Sequence, residues 1–324
     1  MKGLKYIKLM VLTLVCSALI LSGCSDKNPA EGKKDNGKIN VVATIFPEYD
    51  FLRQIGGDKI NLSMLLTPGA ETHSFEPTPQ DIIKIQESDL FVYVGGDSDE
   101  WVKGILESID SDKLKTVTLM DCVTLKEEEL KEGMTEEEEE EHGSEEEEPE
   151  YDEHVWTSPV NAMAIVQKLC DNLCEEDPDN ADYYKKNTSD YIAKLKDLDN
   201  EFKDVVADSK RKEIIVADRF PFRYFVDEYG LDYYAAFPGC SVDSDASPAT
   251  VAFLTDKIKD DNIPIVFHIE LSAGNICNSI ARDTGAKSEQ LNAVHNITKD
   301  DFESGKTYLD FMEENVKVLK EALN

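Results

Sequence analysis

The stretch INVVATIFPEYDFLRQIGGDKINLSMLLTPGAETHSFEPTPQDIIKIQESDLFVYV, Ile39 to Val94, decides the fold. Asn40 to Ile45, Asn61 to Leu66 and Leu90 to Val94 are short β-branched runs that read as strands. Tyr49 to Ile55 and Pro79 to Glu87, between them, carry helical spacing. Strand and helix in alternation are the mark of a parallel α/β sheet. Thr78-Pro79-Gln80-Asp81 is a strong helix start. Thr78 can cap, Pro79 occupies the first helical position where no N–H is needed, and Asp81 lies at the positive helix end. Ser158-Pro159 and Ser247-Pro248 repeat the device.

Toward the C-terminus, Trp101 to Ile109 predicts a helix and Thr116 to Leu119 a fourth strand. Pro178 to Val206 then places Tyr184, Tyr191, Leu195, Leu198 and Phe202 on a common helical side. At 1.5 Å per residue such a helix runs roughly 40 Å, a length suited to a rigid spine between two lobes. A second α/β series follows, with strands at Glu213 to Ala217, Asp232 to Ala236 and Ile263 to Ile269. Its helices are Phe222 to Tyr229, Ala249 to Asp261, Gly274 to Thr284 and Tyr308 to Leu323. The expected organisation is a signal peptide (1–23), a flexible tether (24–38), an N-terminal α/β lobe (39–177), a linking helix (178–207) and a C-terminal α/β lobe (208–324).

Toward the N-terminus, Lys2, Lys5 and Lys8 precede an apolar run, Leu9 to Leu21, too short and wrongly flanked for a membrane span. This reads as a secretory signal. It ends in Leu21-Ser22-Gly23-Cys24, a lipobox arrangement, so Cys24 is the expected lipid attachment point and the protein is expected outside the cytoplasm, anchored to the cell membrane. Ser25 to Lys38 is polar and carries Pro29, Gly32 and Gly37, the composition of a tether.

The formal net charge of -33 excludes nucleic acid, since no basic face exists to release counterions from phosphates, and favours cations. Much of the charge is concentrated in an acidic loop, 126–153, that includes Glu136 to Glu141 and Glu145 to Glu148. Such a run is expected to be loosely solvated, with a role in gathering divalent cations as the functional alternative. Five cysteines remain beyond the signal and Cys24, so at least one thiol stays unpaired. Cys170 and Cys174, four apart on a helix among Ile165, Val166 and Leu169, read as core. Cys240 with Cys277 is a conceivable disulfide.

The chain has five histidines. His73 follows the second strand and precedes a capped helix, and ligands of open parallel sheets bind beyond the carboxyl ends of strands. His154 stands just before another helix cap, with Trp156 as aromatic cover. His268 and Glu270 end a strand two residues apart, which puts both on one side. His295 follows the next strand and can approach the same cleft, while His142 lies in the acidic loop. Imidazoles and carboxylates drawn from several loops suit a tetrahedral zinc site, and more carboxylate would tilt toward manganese. The chain has no HExxH pair, GxSxG elbow, Walker loop or GxGxxG fingerprint, so an enzyme such as a metallohydrolase using Glu270 lacks its motif.

Glu71-Thr72-His73-Ser74-Phe75-Glu76-Pro77-Thr78-Pro79 and His154-Val155-Trp156-Thr157-Ser158-Pro159 resemble the zinc-binding lipoproteins, cluster A-I type, of metal-specific ABC importers. The likeness extends through Val226 to Leu231 and Lys306-Thr307-Tyr308-Leu309. It implies two α/β lobes joined by a long helix, metal in the cleft between them, and an acidic, often histidine-rich loop before the second ligand. One position departs from the pattern, because Arg219 falls where the family usually supplies a third histidine. Arginine does not ligate zinc, so His268, Glu270 and His295 are candidates to complete the site. Arg219 is an alternative ion-pair partner for Glu270.

The expectation is a monomeric receptor, not an enzyme, that captures Zn²⁺ through His73, His154, His268 and Glu270 or His295. It would deliver the ion to an ABC permease and its ATPase. A manganese (Mn²⁺) or iron receptor of the same fold, and a surface lipoprotein for cell adhesion or metal storage, are the alternatives.

Overall fold

A computed structural model describes residues 37–70, 75–109, 114–134, 150–239, 241 and 246–324. The expectations for the signal, Cys24, the tether up to residue 36, His73, His142 and Cys240 lie outside the described residues. Lys38–Asn324 form one compact unit.

Its first sheet contains β1 (Asn40–Ala43), β2 (Asn61–Met64), β3 (Leu90–Tyr93) and β4 (Lys115–Thr118), all parallel, in the order β2-β1-β3-β4. The crossovers are α1 (Phe46–Gly56), α2 (Pro79–Gln86) and α3 (Glu100–Ser108). The period-two geometry of a strand sends Val41 and Ala43 into the main core. It sends Val42 to the opposite face with Ile85, Phe91, Val102 and Ile105. Burial on both faces explains why these strands are apolar throughout. Thr78 caps α2 as expected, accepting from Asp81 N, while Asp81 accepts in return from Thr78 N.

Two long helices follow, α4 (Pro159–Glu176) and α5 (Ala181–Ala207). The expected start of the spine at Pro178 shifts to Ala181, because Pro178–Asn180 form a separate 3-10 turn. At 27 residues, α5 is still roughly 40 Å long. It buries Tyr184, Tyr191, Leu195, Leu198 and Phe202, the stripe that its spacing predicts.

The second sheet contains β5 (Glu213–Arg219), β6 (Asp232–Phe237), β7 (Ile265–His268) and β8 (Lys287–Gln290), again parallel, in the order β6-β5-β7-β8. Around it lie α6 (Arg223–Tyr229), α7 (Pro248–Asp260), α8 (Asn275–Thr284), α9 (Lys299–Ser304) and α10 (Tyr308–Ala322). One continuous apolar core includes Val41 and Ala43 of the first sheet, α4 and α5, and Val216 and Phe267 of the second. In both sheets the strand order reverses between two central strands, β1 and β3 in one and β5 and β7 in the other. Chain leaving the carboxyl ends at such a point lines the crevice where ligands bind. The residues so placed are Thr44, Val94 to Asp99, Arg219 and the turn after His268.

The run Glu136 to Glu141 and Glu145 to Glu148, expected to be loosely solvated, lies outside the described residues, while the described ends of the acidic loop are paired. Glu127 bridges Tyr151 in antiparallel fashion, Glu128 N donates to Glu150 O at 2.9 Å, and Asp152 N to Lys126 O at 3.0 Å. The disulfide expectation is corrected here. Cys277 is a buried free thiol 3.1 Å from Ser288 Oγ, so it is not the partner of a disulfide.

Candidate metal centre

His154 opens a single 3-10 turn, Val155–Thr157, and α4 begins directly after it. The turn is short because Ser158 caps α4, its Oγ accepting from Asn161 N at 3.3 Å, with Pro159 at the first helical position. Asp152 fixes the imidazole by a local bond. Its Oδ1 accepts from His154 N at 2.8 Å and faces Nδ1 at 3.1 Å. With Nδ1 held by a carboxylate, Nε2 is the nitrogen that a metal takes. Asp152 is itself held, since Tyr224 Oη donates to its carbonyl at 2.7 Å. Asp152 was not singled out from sequence, although its i,i+2 spacing to His154 is that of an Asx turn.

His295 reaches the same place from the segment after β8. Its ring centroid lies 4.6 Å from that of His154, at an interplanar angle of 79°. Trp156 covers both imidazoles at 5.6 and 5.4 Å, and its Nε1 donates to Ala293 O at 2.8 Å. His154 is fully buried, His295 is 7% exposed, and the Nε2 atoms of both are out of solvent. Water is therefore largely excluded from the space between the rings.

Glu270 stands behind His295. Ala293 N donates to its Oε2 at 2.6 Å and His295 N to its Oε1 at 2.9 Å, while His295 Nδ1 lies 3.4 Å from Oε1. The expectation that His268 and Glu270 share one strand face is corrected, because β7 stops at His268 and Glu270 lies in the turn beyond it. His268 is half-buried, with Nδ1 3.0 Å from Ile269 O and the ring against Gly274. Among the described residues the ring contacts of the site join His154, His295 and Trp156, and His268 is not one of them. The alternative of an Arg219–Glu270 ion pair is also corrected. Arg219 Nη1 donates to Ser241 O at 3.4 Å, while Glu270 is turned into the Ala293–His295 backbone.

Two further residues shape the site and were not read from sequence. Gly239, after β6, lies so close that a Cβ there would be 3.1 Å from His154 Cε1, 3.1 Å from Asp152 Oδ2 and 3.0 Å from Phe220 O. Asn296 Nδ2 donates to Thr67 O and Ala70 O, both at 2.9 Å. This ties the segment carrying His295 to the loop that enters 71–74, and Phe75 on the far side lines a small pocket with Trp156, Glu153 and His295.

The electrostatics are those of a dry, acidic site. Burial pushes the His154 pKa down, but Asp152, Glu153 and Glu128 together outweigh it, and the net shift is upward. Burial raises the Glu270 carboxyl despite its backbone hydrogen bonds. In the first lobe, burial raises Glu48 well above the usual carboxylate range, with Asp99 adding to it. Burial raises Asp99 to about 7, and Glu153 is raised as well.

Fold and site together define a two-lobed α/β binding protein with imidazoles gathered between two parallel sheets. The chain belongs to the family described as zinc-uptake complex component A, periplasmic, whose sequence profile matches residues 41–322. It is 36% identical over 309 residues to the high-affinity zinc uptake system protein ZnuA of Bacillus subtilis, covering 94% of each chain. It is 34% identical over 314 residues to the zinc-binding lipoprotein AdcA of Streptococcus pneumoniae, covering 97% of this chain but only 60% of that protein. The crystal structure of the Zn(II)-bound ZnuA-like domain of the same AdcA superposes with a TM-score of 0.73 at 32% identity, covering 89% of this chain and 99% of that domain.

Proposed function

We propose that this protein captures Zn²⁺ outside the cytoplasmic membrane, anchored through Cys24, and passes it to an ABC permease and its ATPase. The ligands in this reading are His154, His295 and His73. The described chain on both sides of 71–74 reaches the pair of imidazoles through Asn296 and Phe75, which supports His73 as the third. Asp152 and Glu270 orient the two described histidines, and Trp156 excludes water.

The observation that carries the reading is the pair of imidazoles from different lobes, 4.6 Å apart, each backed at Nδ1 by a carboxylate. Imidazole donors with carboxylates behind them favour zinc over manganese, which takes more oxygen. A receptor also fits better than a hydrolase. Glu270, the residue such an enzyme would use to activate water, already accepts a backbone N–H at each oxygen. Calorimetric titration of the lipid-free protein with zinc tests the proposal. His154→Ala and His295→Ala should each lower the affinity by orders of magnitude. Unchanged affinity in both variants would end this account.

A further inference from the structure

Away from the imidazoles, α4 carries two sulfur atoms that face each other. Cys170 and Cys174 lie one helical turn apart with Sγ···Sγ at 4.0 Å, and both are free thiols. Cys170 is buried, while Cys174 is partly exposed where α4 gives way to the 178–180 turn, its Sγ 3.7 Å from Ala181 O. Packing accounts for Cys170, which belongs to the core. Cys174 packs against the same core only in part, and its Sγ is turned onto that of Cys170.

The helix decides what such a pair can hold. Residues at i and i+4 keep their Cβ atoms about 5–6 Å apart, whereas a disulfide needs about 3.5–4.5 Å. A direct S–S bond would therefore require the helix to unwind. A bridging ion has no such requirement. With sulfur–metal bonds near the zinc–sulfur length of about 2.3 Å, a linear two-sulfur unit needs the sulfurs about 4.6 Å apart, which a small side-chain rotation reaches from the 4.0 Å gap. Among the described residues no third His, Cys, Asp or Glu joins the pair to form a larger donor group. A closed four-donor zinc site is thus not formed, and two soft sulfurs alone suit a soft ion of low coordination number.

We propose that Cys170 and Cys174 form a two-sulfur site for a soft monovalent d¹⁰ cation of the copper(I) class, distinct from the imidazole centre. On binding, two thiol protons leave to solvent and two sulfur–metal bonds form, with no change of oxidation state. The proposal does not depend on the zinc reading.

The test is Cu(I) supplied under ascorbate to the chain from Cys24 onward, with a chromophoric Cu(I) chelator as competitor and X-ray absorption at the copper edge. The expected result is one copper held per chain with two sulfur neighbours. Cys170→Ala or Cys174→Ala should weaken retention by more than an order of magnitude, while Cys122→Ala and Cys277→Ala leave it unchanged. Zinc binding at the imidazole centre should persist in the Cys170→Ala, Cys174→Ala double variant, which also reports that it folds. Copper surrounded by nitrogen in the parent protein, or held equally well by the folded double variant, would overturn the proposal. Were the double variant to fail to fold, the count of sulfur neighbours in the parent would decide it alone, two supporting the site and none refuting it.

Discussion

Val294 and Leu271 have φ of 65° and 59°, conformations that L side chains rarely adopt and that are least expected for a β-branched residue. One precedes His295 and the other follows Glu270, so local strain of about 1–3 kcal/mol per residue brackets that pair. The carboxylate balances it by gathering the N–H groups of Ala293 and His295. Glu270→Gln replaces one accepting oxygen with an NH₂ that faces a backbone N–H. Zinc affinity should fall about 10–100-fold, measured by chelator competition. Asp99 offers an independent test at this scale. Its folded pKa of about 7 lies above the unfolded carboxylate value, so its contribution to stability is fully present below about pH 4 and is lost as pH rises through 7. Asp99→Asn can still accept from Val94 N and Gly95 N. It should flatten the stability–pH profile of the metal-free protein, recovering on the order of 4 kcal/mol at pH 8, as read by urea unfolding. His154 also has a raised folded pKa, so in metal-free protein its pair with Asp152 stabilises at low pH and fades as pH rises through that value. Protons therefore begin to compete with zinc at a higher pH than they would at a free imidazole of about 6.5. Titrations across pH 5 to 8 should show it.

At the scale of elements, the site depends on three loops held at fixed separations. The loop after β6 presses on His154 at Gly239, where even a methyl group would crowd the ring. Gly239→Ala should lower zinc affinity while leaving the far-UV spectrum unchanged, and equal affinity would show that the loop yields. Asn296→Ala removes both bonds to the 67–70 loop. Stability should drop by about 1–3 kcal/mol, with weaker zinc binding if the loop loses its place. The alternation of strand and helix was legible from composition because both faces of each sheet are apolar, and the helix starts were legible from their Ser/Thr-Pro caps. The roles of Glu270 and His268 were not, because a period-two argument holds only while the strand lasts and β7 ends at His268. Asn296 was illegible for a different reason, since its partners lie 229 and 226 residues away and local pattern carries no such information. His295 was legible as a residue after a strand that can approach the cleft, but its ring contact with His154 is a product of tertiary packing.

At the scale of the whole molecule, the two lobes are joined by more than α5. Phe46 N donates to His295 O at 3.3 Å, Trp156 Nε1 to Ala293 O, and Tyr308 N to Asp50 Oδ2 at 2.8 Å, all across the shared core. Cross-links of this kind oppose a wide hinge, so zinc binding should act as a clamp on a formed site. Small-angle scattering curves of metal-free and zinc-loaded protein should superimpose, whereas a large compaction would indicate a hinge. Free zinc at about 100-fold above Kd should stabilise the fold by about 2.7 kcal/mol, visible as a rise in Tm that chelator reverses. The most direct measurement is a crystal structure of the zinc-loaded protein with anomalous scattering at the zinc edge. The account predicts one strong peak bonded to Nε2 of both His154 and His295 at about 2.0–2.1 Å, with His73 beside them. A peak elsewhere, or one touching only a single lobe, would contradict it.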